Sequence, residues 1–283
     1  MSTKSKVVVV VPTHKESPNS CEWVSLIQCC RVLEEHEIRL VCPQSLVTQA
    51  YTAKFPRLKI QRLPDKWFSS IEMYNKLKLS LWFYLQYVKF EYILTYELDA
   101  FVFRDDLLQW CESGYSYVGA PWFEGFCSPP PDAELVGVGN SGLSLRNVRH
   151  CIRALLKFSY IENPADRYNR LCTRNVKNKV MSRLYYWLKA YVFCNNTFFL
   201  FNRCDLSEDR FWSKQGGGDL DFVIPPPKVA SKFSMEVNPR QLYEQNGHKL
   251  PFGCHAWWRY DLDFWKPFIE EFGYVVSSVK CNR

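Results

Sequence analysis

The chain has 283 residues, 47% of them hydrophobic and 16% aromatic, which is enough apolar material to bury a substantial core. Its net charge of +7 is compatible with anionic partners such as nucleotide phosphates, polyanionic glycans, nucleic acid or a membrane surface. No two of the twelve cysteines form a C-x-x-C pair, which argues against a structural zinc site. The run Val7 to Val11 is too short for a signal peptide or a transmembrane segment, so we expect a cytoplasmic protein with reduced thiols.

The first part of the chain alternates between strand and helix patterns. Val7 to Val11 is typical of a buried parallel strand, and it runs into the loop Pro12-Thr13-His14-Lys15. The elements predicted next are a helix over 22–35, strands over 38–42 and 58–63, a long helix beginning near Ser69, and a strand over 92–96. The apolar residues of the long helix are spaced to form one buried stripe, made of Tyr74, Leu77, Leu81, Leu85 and Val88.

This order of elements predicts an α/β fold with an open, mostly parallel sheet flanked by helices, in a single domain over residues 1–283. Ligands of such sheets bind beyond the carboxyl ends of the strands. The Pro12-Thr13-His14 loop and the segment Glu97-Leu98-Asp99 each follow a predicted strand. We therefore expect both segments to face one cleft.

Glu97 and Asp99 form the most informative pair of the sequence. Residues i and i+2 of an extended strand share a face, so both carboxylates can point at one site. Carboxylate oxygens suit a divalent cation such as Mn or Mg, with other positions left to phosphate oxygens. The alternative is a solvated acidic pair on a turn. The apolar residues on both sides favour the metal site.

The second part of the chain is less regular. It is predicted to contain a short helix ending at Cys111, a strand over 115–119, a loop through Pro131, an extended segment over 143–146 and a helix over 147–157. Residues 166–190 carry a basic excess and predict a loop-plus-helix excursion with a cationic face.

Three further patterns each allow two interpretations. The glycines from Gly137 to Gly142 indicate either close approach of the backbone to a ligand or a turn, since the spacing fits neither a P-loop nor a dinucleotide site. The acids after Ser207 indicate either an ordinary helix start or a catalytic carboxylate. His255, in an aromatic and glycine-rich cluster, is either a metal ligand or an ordinary core or surface histidine.

Several short segments, taken in order, resemble GT-A-fold glycosyltransferases, and more closely an uncharacterised glycosyltransferase-like family of bacteria, fungi and large viruses. These segments are residues 7–15, 74–77, 93–103, 117–122, 139–146, 208–212 and 251–255. The resemblance implies a nucleotide-sugar-binding half over 1–125 and an acceptor-binding half over 126–283 that contains the basic excursion.

The resemblance also implies roles for residues. Asp99 would be the principal metal ligand and His255 would complete the metal site. Asp209 would be the catalytic base, and the adjacent Glu208 is also predicted to be catalytic. Glu97 replaces the first Asp of the family's D-x-D motif and would orient the donor nucleotide. The other implied positions are Pro12, Thr13 and His14 by the base, Tyr74 or Lys78 near the diphosphate, and Trp122, Asn140, Ser141 and Gly142 by the sugar or acceptor.

The implied function is metal-dependent transfer of a sugar from a nucleotide-sugar donor, with a UDP-type donor favoured, to an acceptor hydroxyl with inversion. The cofactor would be Mn or Mg, and a saccharide acceptor is favoured. Two alternatives stay open. In the first, the acceptor is a hydroxymethylated base in DNA. The net charge of +7 is compatible with binding to DNA but does not require it. Otherwise the chain would be a glycan- or nucleotide-binding protein that has lost turnover.

Overall fold

A computed structural model of the protein describes residues 5–130, 132–156, 164–174, 180–192, 207–215 and 221–276. Its strands are β1 (Ser5–Pro12), β2 (Glu37–Pro43), β3 (Lys59–Leu63), β4 (Phe90–Tyr96), β5 (Phe101–Val102), β6 (Tyr117–Val118), β7 (Pro121–Phe123), β8 (Leu135–Val138), β9 (Leu143–Asn147), β10 (Ser234–Met235) and β11 (Gly253–Cys254).

The central sheet has six strands in the order β3-β2-β1-β4-β9-β6. β1 pairs in parallel with β2 and β4, β2 pairs in parallel with β3, and β9 runs antiparallel to β4 and β6. The side chains from Val7 to Val11 are buried on both faces of the sheet, as expected of a central parallel strand. The predicted α/β class with an open, mostly parallel sheet is confirmed.

Helices cover the sheet. They are α1 (Ser20–Val32), α2 (Gln49–Lys54), α3 (Ile71–Lys78), α4 (Leu81–Leu85), α5 (Leu107–Glu112), α6 (Val148–Leu156), α7 (Pro164–Arg174), α8 (Val180–Trp187), α9 (Glu208–Gln215), α10 (Pro227–Phe233), α11 (Pro239–Gln245), α12 (Trp257–Tyr260) and α13 (Leu262–Glu270). A 3₁₀ helix spans Asp65–Phe68, and a π-helical turn over Leu188–Val192 extends α8. Within the described ranges, no helix has the length and apolar character needed to cross a bilayer.

The prediction of one long helix after Ser69 is wrong. The chain forms two short helices instead, because the Ser80 hydroxyl accepts a hydrogen bond from the backbone N–H of Phe83 and begins α4 there. The break turns Phe83 toward the core. It leaves Leu85 and Val88 49% and 47% exposed, so the predicted apolar stripe does not continue.

The basic excursion predicted over 166–190 is described only in part. α7 and α8 occupy its described residues, whereas Lys177 and Lys179 lie outside them, as does the glycine run over 216–218. The strand predicted over 115–119 is shorter than expected and contains only Tyr117 and Val118.

A second, three-stranded sheet has the order β10-β11-β5. β10 pairs in parallel with β11, with Met235 opposite Cys254, and β11 pairs antiparallel with β5, with Cys254 opposite Phe101. The residues next to these pairs are Asp99 before β5, Glu236 after β10 and His255 after β11. The small sheet therefore brings together three ionisable side chains that are far apart in the sequence.

Candidate functional site

A cleft of about 580 Å³ lies at the carboxyl ends of β1 and β4. The loop after β1 and the turn after β4 both line it, as the strand order predicted. The lining residues are Pro12, Thr13, His14, Lys15, Glu22, Phe68, Ser69, Ser70, Ile71, Tyr74, Glu97, Leu98, Asp99 and Trp258. No sequence pattern predicted Trp258 as a cleft residue, apart from its place in an aromatic cluster.

The loop after β1 is fixed from inside the protein. Thr13 is buried, and its Oγ1 lies 3.2 Å from the hydroxyl of Tyr51, which in turn donates a 2.6 Å hydrogen bond to the carbonyl of Lys15. Glu22 accepts a 2.5 Å hydrogen bond from Lys15 Nζ and closes the capping box of α1. His14 is exposed at the cleft. The loop thus presents His14 on a rigid base.

Asp99 and His255 meet at the end of the cleft. Asp99 Oδ1 lies 3.0 Å from His255 Nε2, and both atoms are buried. The two atoms form an ion pair, and neither has another partner in hydrogen-bond geometry among the described residues. Glu97 adds a third oxygen, and one ligand atom from each of the three residues lies within 4.8 Å of the others. The cluster of close oxygen and nitrogen donors fits a divalent cation such as Mn or Mg.

The charges of Asp99 and His255 stabilise each other. Burial alone would lower the pKa of His255, but the carboxylates of Asp99 and Glu236 raise this pKa well above its ordinary value. Burial alone would raise the pKa of Asp99, but the positive charge of His255 lowers it. A proton and a metal ion therefore compete for His255 Nε2.

Glu236, which no sequence pattern singled out, contacts His255 on the side of the ring away from Asp99. Its Oε1 lies 2.8 Å from His255 Nδ1, and its Oε2 accepts a 2.9 Å hydrogen bond from the side-chain amide of Asn140. The only local signal is a single acid between the apolar residues Met235 and Val237. No spacing rule connects it to His255, because the pairing of β10 with β11 makes them neighbours.

The loop Asn140-Ser141-Gly142 packs against this site, through Asn140 at Glu236 and Gly142 at His255. The Oδ1 of Asn140 accepts 2.8 Å hydrogen bonds from the backbone N–H groups of Gly142 and Leu143. The His255 ring packs directly on Gly142, where an added Cβ would overlap Nε2. Gly142 therefore allows a close approach, as one interpretation of the sequence expected, but the group that approaches is the His255 side chain and not a ligand. The acceptor role predicted for the three residues stays a prediction.

Trp122, also predicted at the acceptor, packs its indole on Gly139. A Cβ at Gly139 would overlap that ring. Trp122 also contacts Phe126, with ring centroids 5.5 Å apart, and Arg210 of α9 lies over Phe126. Trp122 is absent from the residues lining the cleft. It belongs to a neighbouring face of the protein that includes the amino end of α9.

Lys78 contacts both the cleft residue Glu97 and the buried Glu208. Its side chain is 1% exposed, and Nζ lies 3.0 Å from Glu97 Oε1 and 3.3 Å from Glu208 Oε1. The same ammonium group contacts the hydroxyl of Ser141. The hydroxyl of Tyr74 donates a 3.1 Å hydrogen bond to Glu97 Oε1. Lys78 and Tyr74 thus hold the Glu97 carboxylate at the floor of the cleft.

Glu208 is completely buried and paired with two cations. Arg146, also completely buried, donates a 2.7 Å hydrogen bond to Glu208 Oε1. Burial alone would raise the pKa of Glu208, but Arg146 and Lys78 lower it. This pairing gives Glu208 a structural role, and the catalytic role predicted for it stays a prediction. Arg146 was missed because a buried strand arginine leaves no pattern in the sequence.

Asp209 lies on the first turn of α9 and is half-buried. Burial and the neighbouring Glu208 raise its pKa above the ordinary value. Its Oδ1 accepts a 2.8 Å hydrogen bond from the backbone N–H of Arg210. Asp209 is not among the residues lining the cleft. The buried Phe211 and Trp212 anchor its helix, which packs against α3.

Fold and site together define an α/β protein with a cleft and a candidate centre for a divalent cation. The chain belongs to the family described as "Protein of unknown function (DUF5672)", which matches residues 57–255. The matched range contains Glu97, Asp99, Glu236 and His255, and it begins after β1 and β2. No curated protein matches the sequence.

Among solved structures, mouse xyloside xylosyltransferase 1 in its apo form is similar at 12% identity and a TM-score of 0.48, over 89% of this chain and 97% of that one. The galactosyltransferase LgtC in complex with donor and acceptor sugar analogs is similar at 13% identity and a TM-score of 0.48, over 96% of this chain and 98% of that one. The strand order and strand pairing of the chain itself define its fold class.

Proposed function

We propose that the protein is a metal-dependent glycosyltransferase that moves a sugar from a nucleotide-sugar donor to the hydroxyl of a saccharide acceptor. One observation carries this proposal: Asp99 Oδ1 and His255 Nε2 lie buried 3.0 Å apart, with Glu97 close to both, beside a cleft at the carboxyl ends of β1 and β4. The order of the glycosyltransferase-like segments in the sequence supports the same class of reaction.

The metal would be Mn or Mg, held by Asp99 and His255 with Glu97 within reach. When bound, it supplies Lewis-acid stabilisation of the negative charge on the leaving nucleoside diphosphate. Asp99 and His255 come from two different strand ends. The pairing of β11 with β5 is therefore a condition for metal binding.

The cleft residues orient the donor. Tyr74 and Lys78 both bond Glu97 Oε1 and fix the carboxylate, which would accept a hydrogen bond from a hydroxyl of the donor nucleotide. His14 is exposed on the rigid loop after β1 and lines the cleft, which supports a contact with the base of a UDP-type donor. The buried Lys78 compensates the charge of Glu97, so that the approach of a diphosphate is not opposed by an unpaired carboxylate.

Asp209 is the proposed general base. Its pKa is raised toward neutral pH, which makes the carboxylate a stronger base and favours abstraction of a proton from an acceptor hydroxyl. The deprotonated oxygen attacks the anomeric carbon from the side opposite the diphosphate, and the configuration inverts. The cytoplasmic location stays a prediction.

The reaction class is tested by measuring release of nucleoside diphosphate from a panel of nucleotide sugars, with Mn or Mg and a set of saccharide acceptors. We expect one donor, of UDP type, to be turned over only with metal, and Asp99→Asn to abolish turnover. The matched control is Glu244→Gln, an exposed carboxylate on α11, which should keep full activity. Failure of every donor to release diphosphate in the presence of metal would reject the proposal.

A further inference from the structure

We propose that Glu236 is a positioning residue for the metal site: its carboxylate fixes the tautomer and the orientation of the His255 ring, so that Nε2 is the atom offered to the cation. This inference rests on the proposed metal site and adds a residue that the sequence motifs do not contain. Asn140 completes the arrangement by holding Glu236 in place.

The hydrogen-bond chemistry defines the tautomer. An ionised carboxylate only accepts hydrogen bonds, so the 2.8 Å contact between Glu236 Oε1 and His255 Nδ1 requires a proton on Nδ1. The amide nitrogen of Asn140 lies 3.2 Å from the same Nδ1, but both atoms are donors. The amide therefore donates to Glu236 Oε2 at 2.9 Å. With the proton on Nδ1, the neutral ring has its lone pair on Nε2, beside Asp99.

Both oxygens of Glu236 are thus engaged, one by His255 and one by Asn140. The side chain is 18% exposed, between the buried Met235 and the nearly buried Val237. Glu236 does not belong to the cluster of close ligand atoms formed by Glu97, Asp99 and His255. Its position suits support of a ligand rather than direct contact with metal or substrate.

The backbone makes this contact rigid. The N–H of His255 donates a 3.0 Å hydrogen bond to the carbonyl of Met235, the residue before Glu236. Asn140 is 2% exposed, and the Tyr117 hydroxyl bonds both its backbone N–H and its carbonyl at 2.7 Å. Each member of the series Asn140, Glu236 and His255 is therefore anchored independently of any bound ligand.

A carboxylate behind a metal-bound histidine fixes the ring and increases its basicity, and removing such a partner typically costs about 10–100-fold in metal affinity. Glutamine at position 236 retains an acceptor for the Nδ1 proton but loses the charge. Alanine loses both. The expected order of Mn²⁺ affinity is therefore wild type, then Glu236→Gln, then Glu236→Ala.

Mn²⁺ affinity is measured on the full chain by the electron paramagnetic resonance signal of free Mn²⁺, with no nucleotide present. We expect Glu236→Gln to bind Mn²⁺ about ten-fold more weakly than wild type, and Glu236→Ala more weakly still. Glu244→Gln, an exposed carboxylate on α11, is the matched control and should bind as wild type does. Unchanged affinity in both Glu236 variants would overturn the inference and leave the metal site intact.

A second measurement needs no variant. Nitrogen-15 NMR of wild-type protein saturated with Mg²⁺ should show the His255 proton on Nδ1, shifted by its hydrogen bond to a carboxylate. A proton on Nε2 under these conditions would overturn the inference even if the Glu236 variants fail to fold. If wild-type protein binds neither Mn²⁺ nor Mg²⁺, the proposed metal site falls, and the positioning role falls with it.

Discussion

The imidazole of His255 packs against Gly142 so closely that a Cβ on Gly142 would lie 1.9 Å from Nε2. Two supports therefore hold the proposed metal ligand, Glu236 at Nδ1 and Gly142 against the ring. The carbonyl of Gly142 also accepts a 2.7 Å hydrogen bond from the N–H of Glu97. One glycine consequently contacts two of the three candidate ligands.

Gly142→Ala should displace the His255 ring and weaken Mn²⁺ binding by about ten-fold or more, as expected when the support of a ligand is lost. Overpacking at this position should also cost about 1–3 kcal/mol of folding stability. The measurements are Mn²⁺ titration and thermal unfolding. Gly137→Ala is the control, because a Cβ there makes only ordinary contacts of 3.5 Å or more. Wild-type Mn²⁺ affinity in Gly142→Ala would refute the role assigned to Gly142.

Glu208→Gln should destabilise the protein at neutral pH by about 3 kcal/mol, because it leaves Arg146 buried without its carboxylate partner. Urea unfolding measures the change. The control is Glu270→Gln, which removes an exposed pair with Lys266 at 3.8 Å and should change stability by less than about 0.5 kcal/mol. Equal effects of the two substitutions would show that the buried network does not stabilise the fold.

The same residue predicts how stability depends on pH. The pKa of Glu208 is lowered in the folded protein from its ordinary value of 4.5, so its contribution is fully present above pH 4.5. That contribution is lost as the pH falls below 4.5 toward the folded-state pKa. Wild-type stability should therefore fall more steeply in acid than that of Glu208→Gln, since the other carboxylates are common to both. Parallel pH profiles would contradict the pairing of Glu208 with Arg146 and Lys78.

Asp209→Asn should lower kcat by about 10²–10⁴-fold, the usual contribution of a general base, while donor and metal affinities stay close to wild type. Steady-state kinetics and donor titration separate the two effects. In wild type, kcat should rise with pH through the raised pKa of Asp209, because the base acts when deprotonated. Lys214→Gln, an exposed change on the same helix, is the control. A fully active Asp209→Asn variant would remove the assignment of the base.

Tyr74→Phe removes the 3.1 Å hydrogen bond to Glu97 but keeps the ring that packs on Phe68 and under Lys78. The loss of one hydrogen bond to a carboxylate costs about 1.5–3 kcal/mol, so donor affinity should fall by about ten-fold or more. Mn²⁺ affinity without nucleotide should change little. Donor titration by calorimetry checks both, and Tyr185→Phe, at an exposed position, is the control. Unchanged donor affinity would show that Glu97 does not orient the donor.

The central features of the fold could be predicted from local pattern. The run Val7 to Val11 and the strand ending at Tyr96 have compositions typical of a buried sheet, and their order places Asp99 and the Pro12 loop at one edge. The break at Ser80 was missed because helical spacing continues through it. There the capping hydroxyl overrides the apolar periodicity.

The supports of the site could not be predicted in the same way. Arg146 and Glu208 are 62 residues apart in sequence, and only the packing of α9 beside β9 joins them. Glu236 and His255 are neighbours through the register of two-residue strands, which have no periodicity to detect. For Gly142 the sequence left both a close approach and a turn open, and its partner, the His255 ring, is set by tertiary structure.

In the proposed mechanism, Asp99 and His255 hold a divalent cation that recruits a nucleoside diphosphate. Calorimetric titration of UDP, the favoured nucleotide, into the protein with and without Mn²⁺ measures this recruitment. We predict that UDP binds with Mn²⁺ and loses most of its affinity either with a chelator or in Asp99→Asn. Equal affinity for UDP with and without Mn²⁺, in wild type and in Asp99→Asn alike, would contradict the claim.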